Sequence, residues 1–184
     1  DIALLYYAGH GFQVSGTNYF LSSDGVTLIP LDPMIQKLTE KAKGTIIIVD
    51  ACRNNPLERS SGNGALKIRS VAGDAGAIET LNITELKKSG SGLAQIANLR
   101  GLSAIVLFST EPGNVAEDGE EPGKGSLFAR AFSREVKRRQ SPDEVFRKTA
   151  VRAHGKSEGR QSPWRHGDLT FNVLLAGRQS LPNP

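Results

Sequence analysis

The sequence predicts a three-layer α/β/α sandwich, in which a mostly parallel central sheet lies between two layers of helices. Two short runs, "TIIIVDA" and "LSAIVLFS", are β-branched and nearly all apolar, as is typical of strands that are covered on both faces. Helical patterns lie between and after the predicted strands, and this alternation favours a parallel sheet. The 184 residues are enough for one such domain with its own core.

The first part of the chain predicts a strand, a hairpin, a helix and a second strand. The strand is "DIALLYY", and "FQVSGTNYFL" predicts a hairpin that turns at residues 15–18. The helix lies in "LDPMIQKLTEKAKG", where Asp32 is the expected N-cap, Pro33 opens the helix and Gly44 follows its end. "TIIIVDA" is the second strand. The inward face of the helix carries Met34, Ile35, Leu38 and Ala42.

Two helices and a last strand are predicted in the second part of the chain. The first helix begins at Ser126, and the second has Ser141 as its cap and Pro142 next, with two acids in the first turn. "LTFNVLLAG" predicts the last strand. The apolar residues expected to face inward from the first of these helices are Leu127, Phe128, Ala131, Phe132 and Val136.

The pattern of strands and helices lapses between Arg53 and Leu99. This segment is rich in Gly, Ser and Asn, with the weakly helical "AIETLNITELKK" in its middle. A connection of this length is usually a functional loop or a disordered one. We predict a mobile insertion at about 57–90 within a single domain over residues 1–184. The chain opens inside a predicted buried strand, so we expect N-terminal elements of a longer protein to precede it, and the compartment stays unassigned.

Charge and hydropathy exclude some classes of function. The net charge is +4, and the densest basic patch is "SREVKRRQ" at 133–140. It lacks the interleaved aromatics of a nucleic-acid site, so a solvated helix face is the preferred interpretation and we expect no nucleic-acid partner. The apolar runs are too short to cross a bilayer, so we expect no membrane partner. The single cysteine allows no internal disulfide.

A glycine-flanked histidine and the single cysteine each follow a predicted strand. His10 and Cys52 are separated by 42 residues, which is enough for a hairpin and one crossover helix. Such a crossover makes the two strands parallel and usually adjacent, so both residues would emerge at the same edge of the sheet. A nearby imidazole can generate a nucleophilic thiolate, and the amides of Gly11 and Cys52 could hold an oxyanion. The spacing is equally compatible with a structural cysteine and a turn histidine.

Two other interpretations of these residues are weaker. His154 closes a predicted helix and His166 lies in a Gly-bounded loop, and neither has zinc-ligand spacing with Cys52. A phosphate-binding loop at "AGHGFQVSG" would need a helix directly after it, and none is predicted there.

The segments "YYAGHG" and "IIIVDACRNNP" together resemble the catalytic core of the caspase-like cysteine peptidases. The resemblance is closest to the bacterial metacaspase-like branch, the orthocaspases. It extends to "SAIVLFSTEPGNVAEDG", "GSLFARAF" and "GRQSPWRHGDLTFN", and excludes roughly residues 57–89. It implies a cysteine endopeptidase in which His10 is the general acid/base and Cys52 the nucleophile, with an oxyanion hole formed by the amides of Gly11 and Cys52.

Asp50, two residues before the cysteine, bears on specificity. The resemblance implies that an aspartate here contributes to a pocket for arginine or lysine, whereas caspases carry glutamine. A carboxylate in a pocket offers a cation a charge-assisted hydrogen bond. The expected partner is therefore a peptide or protein substrate with a basic residue at the cleavage site. The alternative is that Asp50 caps the turn after its strand.

Three further residues are candidates for the substrate pocket. Ala8 stands where the family often has serine, which removes one hydroxyl from the pocket wall. A second pocket acid is expected in "STEPGNVAEDG", where Asp118 is preferred to Glu111 and Glu117. Trp164 could line the cleft, although a large aromatic is more often part of the core.

Cofactor, processing and assembly complete the expectations. Calcium dependence occurs in parts of the family, but no dense acidic loop is visible, so no metal or other cofactor is expected. An Arg/Lys-specific enzyme could trim its own insertion, at Arg69 or Lys87–Lys88 for example. A homodimer is left open. The alternative function is a non-catalytic signalling or scaffold module of the same fold, in which loss of the Cys or His would be expected.

Overall fold

The computed structural model describes residues 1–14, 17–52, 65–69, 78–82, 93, 99, 101–112, 116 and 125–177. Eight strands and three helices lie in these residues. The strands are β1 (Ile2–Val14), β2 (Thr17–Leu21), β3 (Thr27–Pro30), β4 (Gly44–Cys52), β5 (Ala65–Arg69), β6 (Ile78–Asn82), β7 (Ala104–Phe108) and β8 (Trp164–Asp168). The helices are α1 (Leu31–Lys41), α2 (Leu127–Glu135) and α3 (Pro142–Lys156). No helix in the described ranges is both long and apolar enough to span a bilayer.

The strands form one sheet in the order β6-β5-β3-β2-β1-β4-β7-β8. The central strands β1, β4 and β7 are parallel to one another. The sheet as a whole is mixed, because four pairs are antiparallel: β1-β2, β2-β3, β5-β6 and β7-β8. Apolar residues of α1 pack on one face, and those of α2 and α3 pack on the other. The predicted α/β/α sandwich is therefore confirmed.

The side chains of β4 divide the core into two halves. Ile47 and Val49 pack towards α1, whereas Ile46 and Ile48 pack towards α2 and α3. All five residues of β7 are buried as well. Strands covered on both faces have no polar side to present to water, which explains why their sequences are continuous apolar runs.

β1 changes its pairing partner halfway along its length. Residues Ile2–His10 pair with β4 in parallel, and Gly11–Val14 pair with β2 in antiparallel. The glycine-histidine segment is therefore part of the strand, because the second ladder keeps the backbone extended. The prediction that His10 follows the end of its strand is wrong, as is the alternative of a turn histidine. Within the described residues no strand pairs with the Ile2–His10 stretch on the side away from β4, and Leu4 on this stretch is exposed.

The first helix begins earlier than its sequence predicts. Its N-cap is Pro30, and Asp32 lies in the first turn instead of capping it. The proline that ends β3 cannot donate a ladder hydrogen bond, so the chain turns directly from strand into helix. Ile35 is buried on the expected face.

The last strand is also displaced from its prediction. β8 covers Trp164–Asp168, while residues 169–175 form no strand. The apolar side chains of that run, among them Val173, instead pack on the α2–α3 side of the core from a loop. A short apolar run indicates burial, but by periodicity alone it does not indicate which backbone conformation is buried. His166 accordingly lies in β8 and not in a loop.

Part of the long insertion joins the sheet. β5 pairs with β3 in parallel, and β6 pairs with β5 in antiparallel. The segment Ile78–Asn82, which the sequence predicts as weakly helical, is therefore strand. Pairing along the edge of an existing sheet satisfies its backbone groups, and this outweighs a weak local helix preference.

The two helices on the second face are capped and braced to each other. Ser126 and Ser141 are the N-caps of α2 and α3, as predicted. Glu135 at the end of α2 is fully buried and accepts a hydrogen bond from Arg152 of α3 at 2.7 Å. Burial would raise the pKa of Glu135, but the Arg152 hydrogen bond and the nearby Arg138 charge outweigh it and hold this pKa below its ordinary value. This ion pair holds α2 against α3, and the N-terminus of α2 borders the candidate site.

Candidate active site

His10 and Cys52 lie side by side on neighbouring strands. They are register partners in the parallel β1–β4 ladder, and Cys52 is the last residue of β4. Adjacent strands are about 5 Å apart, so the backbones of the two residues lie close together. Of the other histidines, His154 lies in α3 and His166 pairs with Val106 of β7. Neither is on a strand next to β1.

A tyrosine hydroxyl ties the backbone of His10 to the next hairpin strand. The hydroxyl of Tyr7 lies 2.8 Å from the carbonyl oxygen of His10 and 2.9 Å from that of Leu21. Its single hydrogen is shared between the two acceptors. The Tyr7 ring also stacks on Phe20 with a centroid distance of 3.9 Å. Burial raises the pKa of Tyr7 to about 12, although the hydrogen bonds to Leu21 and His10 lower it in part, so the hydroxyl remains a donor at neutral pH.

Gly9 and Gly11, on either side of the histidine, each lack space for a side chain, but because of different neighbours. A β-carbon built on Gly9 would lie 2.6 Å from the Tyr7 hydroxyl oxygen and 2.9 Å from its ring carbon Cζ. One built on Gly11 would lie 2.9 Å from the Cδ1 and Cγ atoms of the buried Leu93. Gly9 therefore makes room for the tyrosine that holds His10, and Gly11 makes room for the core.

Asp50 is nearly buried and is held by two hydroxyl groups. Its side chain is 7% exposed, and its Oδ2 atom accepts hydrogen bonds from the Tyr6 hydroxyl at 3.1 Å and the Ser126 hydroxyl at 2.5 Å. Ser126 also accepts a bond from the amide of Ala129 at 2.8 Å, which is its capping bond to α2. Burial raises the pKa of Tyr6, and the charge of Asp50 raises it further, because both disfavour a phenolate. Asp50 therefore anchors a helix terminus in addition to facing the candidate site.

Two neighbours of Asp50 complete this corner. Ala8 is its register partner on β1 and is exposed, so a methyl group lines this side. On the other side, the amide of Ser109 donates to the carbonyl of Val49 at 2.9 Å, which extends the β4–β7 register by one pair and places Ser109 beside Asp50. The Ser109 hydroxyl is fully buried and has no hydrogen-bond partner among the residues described.

The remaining sequence candidates are Trp164 and the three acids of the loop after β7. Trp164 is half-buried, is the register partner of Phe108 at the same edge of the sheet, and stacks on it with a centroid distance of 5.7 Å. It packs against the α1 half of the core, and whether it also contacts substrate stays a prediction. Asp118 and Glu117 lie outside the described residues, and Glu111 is exposed.

Sequence reasoning missed the three hydroxyl groups that hold this site. Tyr6 and Tyr7 were treated as members of an apolar strand, and Ser126 only as a helix cap. The signal was available in part, because a tyrosine in a covered strand generally needs a partner for its hydroxyl. The identity of the partner depends on which face each residue takes.

One cavity among the described residues lies away from this corner. A cavity of about 270 Å³ is lined in part by the residues that follow β8. β8 ends at Asp168, which pairs with Ala104 at the start of β7, so the cavity lies at the end of the strands opposite to His10 and Cys52. Its lining residues are Ser141, Pro142, Asp143, Leu169, Thr170, Phe171, Asn172 and Val173. Within the described ranges, no three His, Cys, Asp or Glu residues cluster as metal ligands.

Comparison with known proteins gives one result. A family model described as the caspase domain matches residues 1–174, a range that includes every strand and helix described above. No curated protein matches the chain.

Proposed function

Because the chain belongs to the caspase-domain family of cysteine peptidases, we propose that it is a metacaspase-like endopeptidase that cleaves after Arg or Lys through a Cys52–His10 dyad. The observation that supports the dyad is the register of β1 and β4, which sets His10 directly beside Cys52. A histidine and a cysteine on adjacent parallel strands can share a proton and face one substrate.

The proposed reaction proceeds through an acyl-enzyme. His10 takes the proton of the Cys52 thiol, and the thiolate attacks the carbonyl carbon of the scissile peptide bond. The amides of Gly11 and Cys52 donate to the oxyanion, and His10 returns the proton to the leaving amine as the C–N bond breaks. Water, deprotonated by His10, then attacks the thioester, and the thiol is regenerated as the acid product leaves.

The proposed specificity rests on Asp50. Its two observed hydroxyl donors, Tyr6 and Ser126, are uncharged, so neither of these two hydrogen bonds cancels the charge of the carboxylate. A nearly buried carboxylate attracts a cation more strongly than an exposed one, because less water screens it. Ala8, the register partner of Asp50 on β1, is exposed and adds only a methyl group to this side of the proposed pocket.

We expect faster cleavage of peptides with Arg or Lys at the cleaved position than of matched peptides with Asp. The physical reason is attraction to the Asp50 carboxylate in one case and repulsion in the other. Fluorogenic peptides that differ at this residue alone provide the measurement. An arginyl chloromethyl ketone should add one covalent label to Cys52, detected by mass spectrometry. Faster cleavage of the Asp peptide contradicts the specificity, and absence of both labelling and cleavage favours a non-catalytic module.

We also propose that the enzyme trims its own insertion. Lys87 and Lys88 lie outside the described residues, whereas Arg69 ends β5 and pairs with Ile78, so cleavage there requires the end of the hairpin to separate first. We expect fragments with basic C-termini to accumulate in wild-type protein and to be absent in Cys52→Ala. Mass spectrometry of both proteins after incubation tests this, and equal fragmentation rules it out.

A further inference from the structure

Tyr6, Asp50 and Ser126 form a hydrogen-bonded cluster where β1, β4 and the start of α2 meet. We infer that Tyr6 and Ser126 are positioning residues that set how strongly the enzyme discriminates basic from neutral substrate side chains, by holding the carboxylate of Asp50. The inference rests on the proposed function, since it assigns a role within the pocket proposed there.

The two donors restrain the carboxylate from different elements. Tyr6 approaches Oδ2 from β1, and Ser126 approaches the same atom from the N-terminus of α2. The Tyr6 ring is itself in contact with Phe132 of α2, with a centroid distance of 5.9 Å. Two donors fixed on separate elements define the rotation of the carboxylate, and a preorganised acceptor binds a cation at a lower entropic cost.

The helix terminus gives the restraint a second purpose. The first amides of a helix lack intrahelical acceptors and carry partial positive charge, so they attract any nearby carboxylate. Ser126 accepts from the Ala129 amide while donating to Asp50. One hydroxyl therefore occupies the helix donor and keeps the carboxylate at its own position. Without it, we expect Asp50 to turn towards the α2 amides and to bind a substrate cation less well.

A third hydroxyl lies beside this cluster. Ser109 lies beside Asp50, on the face that carries Ile48 and Leu107, with a buried hydroxyl that has no partner in the described ranges. An unpaired buried hydroxyl is costly, and native structures rarely keep one without a reason. The partner of this hydroxyl is therefore expected to come from outside the described ranges, either from the rest of the chain or from a bound group.

The test compares Tyr6→Phe and Ser126→Ala with wild type. Tyr6→Phe removes one donor and leaves the helix cap in place, whereas Ser126→Ala removes both a donor and the cap. Two peptides that differ only in Arg or Gln at the cleaved position are assayed. For each variant we expect the Arg/Gln ratio of kcat/KM to fall by about tenfold, the size expected when a charged group loses a hydrogen bond. The fall should come from a higher KM for the Arg peptide, with the Gln peptide unchanged.

Two matched variants serve as controls. Ser126→Thr keeps a hydroxyl that can cap and donate, so it should retain most of the ratio. Ser133→Ala removes an exposed serine of α2 that donates to the carbonyl of Arg130, and it should leave the ratio unchanged. A general loss of stability would lower kcat/KM for both peptides by the same factor and would leave the Arg/Gln ratio unchanged.

The outcomes separate this inference from the function on which it rests. Wild-type enzyme without a preference for Arg overturns the proposed specificity and the inference together. A wild-type preference that persists unchanged in both Tyr6→Phe and Ser126→Ala overturns the inference alone. A change in Ser126→Ala without one in Tyr6→Phe also overturns it, because loss of the helix cap then explains the result.

Discussion

Replacing Cys52 with alanine is expected to abolish cleavage of the Arg peptide, and replacing His10 with alanine is expected to lower kcat by roughly 10²- to 10⁴-fold. Cys52→Ala removes the nucleophile itself, whereas His10→Ala leaves a thiol without its proton acceptor, and general base catalysis contributes a factor of that size. Steady-state kinetics on purified protein measure both changes. The prediction depends on the register that makes these two residues neighbours.

Folding and labelling controls belong with this prediction. Circular dichroism should show both variants folded, and His154→Ala, which changes a histidine of α3, should keep wild-type kcat. His10→Ala should also slow labelling of Cys52 by the chloromethyl ketone, because less thiolate forms. Full activity in His10→Ala, or loss of it in His154→Ala, would show that another histidine is the base.

Gly9→Ala is expected to destabilise the protein by about 1–3 kcal/mol and to lower kcat as well. The new β-carbon would lie 2.6 Å from the hydroxyl oxygen of Tyr7. The tyrosine cannot easily move aside, because its ring is stacked on Phe20 and its hydroxyl is bonded to the carbonyls of His10 and Leu21. Any movement therefore shifts His10. Urea unfolding measures the free energy, and steady-state kinetics measure kcat.

A double-mutant cycle identifies the clash as the cause. In Tyr7→Ala the ring is gone, so adding Gly9→Ala should cost far less than it does in wild type, with a coupling free energy of about 1–3 kcal/mol. Gly11→Ala, which meets Leu93 instead, should not be relieved by Tyr7→Ala. Strict additivity of the Gly9 and Tyr7 changes would mean that Gly9 is required for another reason.

The approach of His10 to Cys52 could be predicted from the sequence because parallel strands joined by a crossover helix leave the sheet at one edge. Most helices and strands could also be predicted, because hydrophobic runs and helix caps such as Ser126 and Ser141 are local features of the sequence. The site's polar contacts could not be predicted in this way. The bond from Tyr6 to Asp50 joins residues 44 positions apart, and it depends on the face that each side chain takes and on where α2 begins.

The errors also have physical causes. The apolar run after Asp168 was predicted as a strand because hydrophobicity indicates burial, whereas this run is a loop that contributes Val173 to the core. The Gly9–Gly11 segment was expected to follow the strand, with a turn as one interpretation, because glycine is common in turns. Its glycines instead accommodate close neighbours, Tyr7 and Leu93, within an extended strand. Close approach leaves no periodic signal in a sequence.

Because β1 changes its pairing partner, the proposed catalytic groups belong to two different ladders of the sheet. His10 and Cys52 lie in the parallel strands β1, β4 and β7, whereas Gly11 lies in the antiparallel hairpin that β1 forms with β2. The two ladders meet at the peptide between His10 and Gly11, so the geometry of this peptide sets the distance from the proposed base to the proposed oxyanion amide. The Tyr7 hydroxyl bridges this junction, because its acceptors, the carbonyls of His10 and Leu21, lie on the two sides of it, and we expect it to restrain the angle between the two ladders.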